Sequence, residues 1–227
     1  MLKTRFALLP GHDDWGVLMF LIGQYDSPFV RRVAIALRLY GFKYDHKPWS
    51  TFGEADQIAP YNPLRRVPTL VLDSGEALIE STIILDYLDE LAGEGKAMIA
   101  SHGAGRRRHL RLCALATGLA DKAVSLLYER VLRQEPSKVW VDRCHAQIGD
   151  VLGVLEKERT AATTPWLFGE RIGHSDVVVA CVLRFTSEAH PHLFDAARYP
   201  ELAAHAAKCE ALPPFAEIVQ PLSPPKG

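Results

Sequence analysis

The feature that most constrains this fold is the confinement of strand-like segments to the first 80 residues. Helical spacing of apolar residues occupies 28–40 and 52–59 and resumes at Ser81. Four short strand-like segments precede or separate these helices, at 17–23, 42–49, 67–72 and 76–79. The resulting order, β-α-β-α-β-β-α, predicts a mixed sheet covered by helices.

Strand signals are lost in the second half of the chain. Residues 93–105 contain four glycines and no apolar period, which is typical of a linker between domains. Beyond this linker the apolar periodicity is helical throughout, at 106–133, 136–160, 175–189 and 199–212. The sequence therefore predicts an α/β domain at 17–92 followed by an all-helical domain at 106–219.

The two ends of the chain carry weaker patterns. Residues 1–16 show no sustained periodicity and are predicted to be a disordered extension. Because Met19 stands at the front of the first strand, translation could start there; an intact mass that includes residues 1–18 would reject this hypothesis. Residues 220–227, which contain three prolines, are predicted to be a frayed tail.

Charge and cysteine placement exclude several classes of function. With 26 basic and 27 acidic side chains, the chain has no overall field that would attract nucleic acid or an anionic membrane. All four cysteines lie in the second half without metal-site or CxxC spacing, which predicts reduced thiols, no metal site and no thiol nucleophile in the first domain. No apolar run approaches the roughly 20 residues of a membrane span. We expect a cytoplasmic protein whose partner is a small molecule or another protein chain.

Three short motifs carry a family resemblance. The segment from Ser27 to Val33 resembles the active-site turn and first helix of serine- and cysteine-type glutathione transferases. The segment 67–70 resembles their cis-proline loop, and 80–84 resembles their γ-glutamyl-binding turn. Over residues 17–219 the chain resembles the cytosolic glutathione S-transferase family, bacterial-like in type. The resemblance implies a thioredoxin-like N-terminal domain, a helical-bundle C-terminal domain and a homodimer.

The resemblance also implies roles for individual residues. The Ser27 hydroxyl would donate its proton to a glutathione thiolate while accepting an N–H from the helix start. Val67, before a cis-Pro68, would pair its backbone with the cysteinyl part of glutathione. Glu80 would bind the γ-glutamyl ammonium, and Ser81 at the helix start would bind the carboxylate. Each serine could instead be an ordinary helix cap.

Other positions leave alternatives open. Tyr25 is the rival catalytic hydroxyl, although tyrosines at strand ends are usually packing residues. Arg65 stands where the family commonly has glycine, and it or Arg66 could bind the glycyl carboxylate or remain a solvated loop charge. Gly173 stands where the family usually has a Ser or Thr helix cap, and Asp176 is expected to stabilise that buried helix start.

These features predict an enzyme that activates glutathione as a thiolate and conjugates it to an electrophilic, mostly apolar small molecule. Two alternatives remain. The chain could be a non-catalytic glutathione-transferase-like binding or scaffold protein. It could also be a glutathione-dependent isomerase or dehalogenase, which uses the same thiolate; fold does not decide between these.

Overall fold

The structure is a computed structural model that describes residues 19–225 of the 227-residue chain. Its first half contains the predicted elements in the predicted order: β1 (Phe20–Ile22), α1 (Pro28–Tyr40), β2 (Asp45–Lys47), α2 (Ala55–Ile58), β3 (Thr69–Val71), β4 (Ala77–Ile79) and α3 (Ser81–Ala92). Each strand is three residues long. The segments that predicted them are longer, and some of their outer residues still form single backbone hydrogen bonds across the sheet, such as the N–H of Gly23 with the carbonyl of Lys47 at 2.9 Å.

The four strands form one mixed sheet in the order β2-β1-β3-β4. β1 is parallel to β2 and antiparallel to β3, and β3 is antiparallel to β4. The parallel pair requires a crossover, which α1 supplies, whereas β3 and β4 are joined by a short hairpin turn. The predicted thioredoxin-like half is therefore confirmed.

Local sequence explains where α1 begins and ends. Ser27 is the N-cap, and Pro28 occupies the first turn, where a missing N–H costs nothing. Gly41 ends the helix with φ 75°, a left-handed conformation that glycine adopts without strain. The helix is enclosed on both sides, because it packs against α3 in its own domain and against the second domain through a central helix, α6 (His174–Ala189).

The named elements in the described part of the second half are all helices, as predicted. It comprises α4 (Gly103–Leu132), α5 (Lys138–Ala161), α6, α7 (Pro200–Glu210) and α8 (Pro213–Glu217). α4 starts inside the segment predicted as linker. α6 is the centre of the molecule, since it packs on α4 and α7 as well as on α1, and it joins the cores of the two halves.

The start of α6 is stabilised by two side chains from different parts of the chain. The Asp176 carboxylate, 1% exposed, accepts the N–H of Leu167 at 2.9 Å and that of Gly173 at 2.8 Å. The N-cap itself, Gly173, has no side chain to offer. His109 of α4 takes over that task, because its Nε2 accepts the N–H of Ser175 at 3.0 Å. A side-chain acceptor on another helix, His109 of α4, thus replaces the usual local cap.

Glycine at position 173 follows from this arrangement. A Cβ there would lie 2.9 Å from Cε1 of His109 and 2.9 Å from the carbonyl oxygen of Met98. The ring of His109 also stacks on Phe168 at a centroid distance of 4.9 Å, so it cannot easily withdraw. Burial lowers the pKa of His109 to about 4, and its Nε2 lone pair is therefore free to accept at neutral pH.

The four cysteines are buried and free of disulfides. Burial raises the pKa of both Cys113 and Cys181 to about 11, so neither is a thiolate at neutral pH. The predicted extension at residues 1–16 and the hypothesis of a start at Met19 concern a segment, residues 1–18, that lies outside the described residues.

Candidate functional site

Three loops meet where the strands end on one side of the sheet, and we call this place the sheet edge. In the strand register Ile22 lies opposite Thr69, and Thr69 lies opposite Ile79. The loop after β1, the loop before β3 and the turn after β4 consequently meet at this edge. These loops contain the site residues predicted from the sequence. The sheet topology therefore brings together Ser27 and Glu80, which are more than 50 residues apart in the chain.

Ser27 occupies the first of these loops. Its Oγ accepts the N–H of Val30 at 3.4 Å, which is a long hydrogen bond and leaves most of the oxygen's capacity unused. The side chain is only partly buried and faces a cavity between the two domains. The Ser27 proton is not committed to any acceptor among the described residues. The hydroxyl can therefore donate to a group placed in the cavity.

Val67 and Pro68 occupy the second loop and are joined by a cis peptide bond. Val67 lines the same cavity as Ser27. Its backbone N–H and C=O form no hydrogen bond with another described residue, so both can pair with an extended ligand. Gly23 permits this packing: a Cβ there would lie 2.5 Å from Val30 and 2.8 Å from Val67, and its φ of 129° favours glycine.

The third loop departs from the prediction in one detail. Glu80, not Ser81, is the N-cap of α3: its carboxylate accepts the N–H of Thr82 at 3.0 Å, and its φ is 71°. Ser81 is the first helical residue and is fully buried, and its hydroxyl donates to Glu80 at 3.2 Å. Neither residue lines the cavity around Ser27, although both lie at its edge of the sheet.

The two arginines at this edge differ in their partners. The Arg65 guanidinium lies 2.5 Å from Asp56, and the residue has φ 51°. The Arg66 guanidinium forms no ion pair or hydrogen bond with another residue of the described chain, 19–225, whereas its carbonyl accepts from Asn62 at 2.8 Å. Both arginines line the cavity. Arg66 is thus the cation available to an anionic ligand.

Tyr25, the rival hydroxyl, is held by neighbours within the first domain. The Tyr25 ring stacks on His46 at 3.9 Å, and its hydroxyl bonds that of Tyr44 at 2.9 Å. Burial and this neighbouring phenol raise the pKa of Tyr25 well above its ordinary value. Its side chain does not line the cavity, and it therefore resembles the packing tyrosine that strand-end position predicts.

The cavity has about 320 Å³ of space and lies between the sheet edge and the helical domain. One wall is largely apolar and is formed by Phe29 of α1 together with Val124, Leu127, Tyr128 and Phe185 of the helical domain. Their helical spacing does not distinguish these residues from the interior of the bundle, because apolar residues at this spacing usually form the core. Residues 222–225 of the chain's end close the cavity on a further side.

Two kinds of feature are absent from the described residues. Within residues 19–225 no group of three or more His, Cys, Asp or Glu side chains is arranged to bind a metal ion. Over the same residues no helix is both long and apolar enough to cross a bilayer.

Comparison with known proteins gives a consistent result. Two family models match: the glutathione S-transferase N-terminal domain at residues 21–96 and the glutathione S-transferase C-terminal domain at residues 138–208. An uncharacterised GST-like protein, YibF of Escherichia coli K12, is 29% identical over 74% of this chain and 81% of its own. The maleylacetoacetate isomerase of Pseudomonas aeruginosa is 32% identical over 70% of this chain and 77% of its own.

Solved structures agree with the sequence comparisons. A glutathione S-transferase of Methylobacterium radiotolerans, crystallised in complex with glutathione sulfonate, superposes with a TM-score of 0.83 at 28% identity. The superposition covers 90% of this chain and 96% of that one. From the matched domains, the identity to these relatives and the shared architecture, we conclude that the chain belongs to the glutathione S-transferase family.

Proposed function

We propose that this chain binds glutathione at the sheet edge, stabilises its thiolate with Ser27 and conjugates it to an apolar electrophile. The observation that carries the proposal is the Ser27 hydroxyl, which stands at the start of α1 with an uncommitted proton and faces a cavity with an apolar wall. The solved relative of Methylobacterium, which holds glutathione sulfonate, supports the choice of ligand.

The energetics of thiolate formation are within reach of this site. A free thiol titrates near pH 8.5, and making it mostly thiolate at pH 7 requires a pKa lower by about 2 units, or about 2.7 kcal/mol. A hydrogen bond to a charged group contributes about 1.5–3 kcal/mol, and a helix N-terminus contributes about 0.3–1 kcal/mol. The Ser27 hydroxyl and the α1 N-terminus together supply this amount without a general base.

The chemical step follows from the thiolate. The glutathione sulfur, having lost its proton to water, donates an electron pair to an electrophilic carbon, and a C–S bond forms. In a substitution the leaving group departs with the electron pair of the broken bond. In an addition to an activated double bond, the π pair moves to the adjacent atom, which then takes a proton from water. The apolar wall excludes water from the acceptor and so strengthens the hydrogen bond to sulfur.

Binding of the glutathione backbone would use all three loops. The Val67 N–H and C=O would extend the sheet by pairing with the cysteinyl unit. The Glu80 carboxylate would bind the γ-glutamyl ammonium, while the free N–H groups at the start of α3 would bind its carboxylate. Arg66 would pair with the glycyl carboxylate, because Arg65 is already paired with Asp56.

The division of labour between the two arginines is testable by substitution. We expect Arg66→Ala to raise the Kd for glutathione about tenfold or more, since a hydrogen bond to a charged group contributes about 1.5–3 kcal/mol. Arg65→Ala, the matched control, removes an exposed ion pair with Asp56 and should raise the Kd less than about fivefold. Isothermal titration with glutathione measures both values. A larger effect at position 65 than at 66 would contradict this assignment.

A second candidate function is glutathione-dependent isomerisation, which the 32% identity to a maleylacetoacetate isomerase favours. There the thiolate would add to a conjugated carbon, permit rotation about the former double bond and leave again. Free thiol would then be regenerated, whereas conjugation consumes it. Following thiol concentration together with the cis–trans conversion of a conjugated acceptor distinguishes the two reactions. Glutathione binding without either reaction would favour a binding or scaffold protein.

The predicted homodimer and cytoplasmic location stay predictions.

A further inference from the structure

The end of the chain forms a strap across the cleft between the two domains; we use "strap" for residues 219–225. Its start is fixed, because the buried Arg31 of α1 donates to the carbonyl of Ile218 at 2.9 Å and to that of Phe215 at 3.1 Å. The same arginine forms an ion pair with Glu210 at 2.6 Å. The strap therefore leaves α8 at a defined point beside α1.

Three hydrogen bonds then hold the strap to both domains. On the side of the sheet, the Tyr25 N–H donates to the Gln220 side chain at 2.9 Å, and the Ser223 N–H donates to Asp26 at 2.9 Å. On the helical side, the Leu222 N–H donates to Glu188 of α6 at 3.2 Å. The predicted frayed tail is thus wrong for residues 220–225, since these contacts join residues far apart in sequence and no local pattern announces them.

The far end of the strap is a wall of the cavity that contains Ser27. Leu222, Ser223 and the two prolines that follow line it together with apolar side chains of α4 and α6. Leu222 also packs against the core of the helical domain. Prolines suit this position because they lack an N–H that would need a partner, and their fixed φ keeps the segment extended.

We propose that the strap determines which electrophiles reach the glutathione sulfur, by limiting the acceptor half of the cleft to compact molecules. This inference rests on the proposed function. The cavity of about 320 Å³ is near the lower end of the roughly 300–1,000 Å³ that ligand sites span. It must hold the reacting part of glutathione as well as the acceptor. An elongated acceptor that extends on the strap's side of the cleft would therefore require displacement of the strap.

The hydrogen bond between Ser223 and Asp26 places this wall next to the reaction centre. Asp26 is the residue immediately before Ser27, so the strap is fastened next to the proposed catalytic hydroxyl. The bond depends on one backbone N–H and one carboxylate oxygen. Releasing it frees Ser223 and the prolines that follow, while Gln220 and Leu222 still hold the preceding part of the strap.

Two variants test the proposal. Ser223→Pro removes the N–H that donates to Asp26 and leaves the strap present, whereas a chain ending after Val219 removes the strap. Ser223→Ala keeps the N–H and should change selectivity less than Ser223→Pro does. The measured quantity is kcat/KM with glutathione for two chloronitrobenzenes that share a leaving group, one compact and one carrying a long alkyl chain.

We expect the ratio of kcat/KM for the bulky over the compact electrophile to rise about tenfold in the shortened chain and severalfold in Ser223→Pro. An unchanged or lower ratio in a folded Ser223→Pro and in the shortened chain would overturn the proposal. If the shortened chain does not fold, the comparison of Ser223→Pro with Ser223→Ala decides alone.

A second readout separates failure of this inference from failure of the proposed function. The affinity for a bulky aromatic fluorescent probe, anilinonaphthalene sulfonate, should rise in Ser223→Pro whether or not glutathione is turned over. Absence of turnover in the wild type with either electrophile would count against the proposed function, and the probe would still test the strap. Equal probe affinity in wild type and Ser223→Pro would overturn the strap as a barrier.

Discussion

Ser27→Ala should lower kcat/KM for conjugation about 10- to 150-fold, with a smaller change in glutathione affinity. This range corresponds to the loss of a hydrogen bond to a charged group, about 1.5–3 kcal/mol. The thiol pKa of bound glutathione should rise in the same variant, because the thiolate has lost its donor. Steady-state kinetics with a chlorodinitrobenzene and glutathione measure the effect.

The control for this variant must separate catalysis from helix capping. Ser27 is also the N-cap of α1, and alanine at such a position costs about 0.5–2 kcal/mol of stability. Ser27→Asp preserves a good cap but replaces the proton donor with a carboxylate, which repels a thiolate. We expect both variants to be impaired in kcat/KM and only the alanine variant to lose stability. Activity retained in Ser27→Asp would show that the hydroxyl proton is not used.

The second large effect concerns the start of α6, where His109 substitutes for a local cap. His109→Ala should lower the free energy of unfolding by about 1–3 kcal/mol, because the buried N–H of Ser175 loses its acceptor. Gly173→Ser in the wild-type background should also destabilise, by about 1–3 kcal/mol, since the new Cβ meets His109 and Met98 at 2.9 Å. Urea denaturation measures each value.

Combining substitutions at the two positions isolates the cap. In the His109→Ala background Gly173→Ser regains a capping hydroxyl, whereas Gly173→Ala meets the same carbonyl of Met98 without one. We therefore expect the double variant with Gly173→Ser to be more stable than the one with Gly173→Ala by about 0.5–2 kcal/mol, in that background only. If the stability difference between Gly173→Ser and Gly173→Ala is the same with and without His109, the serine does not replace His109 as the cap, and this account is refuted.

The elements that the sequence could predict are those that depend on neighbouring residues. Ser27 and Pro28 mark the start of α1, and the apolar runs on either side of Gly75 mark the β3–β4 hairpin, because caps and turns are local. The loss of strand signals after residue 93 likewise separates the two halves. The order of all seven elements of the first half followed from these signals.

The features that sequence could not predict depend on distant residues or on backbone conformation. Ser81 has the better capping propensity, yet Glu80 caps α3 from a left-handed conformation that no propensity announces. Arg65 and Arg66 are alike in sequence, and only the position of Asp56 distinguishes them. The bond between Tyr25 and Gln220 spans 195 residues, so a proline-rich end that reads as a frayed tail is in fact fastened.

The measurement that tests the central claim most directly is a pH titration of the ultraviolet thiolate absorbance of glutathione bound to the wild-type protein. A helix N-terminus and the Ser27 hydroxyl together should bring the midpoint to about pH 6–7, from about 8.5 for a free thiol. That result, with a midpoint shifted upward in Ser27→Ala, is what the proposed mechanism predicts. A midpoint that stays near about 8.5 in saturated wild-type protein would contradict it.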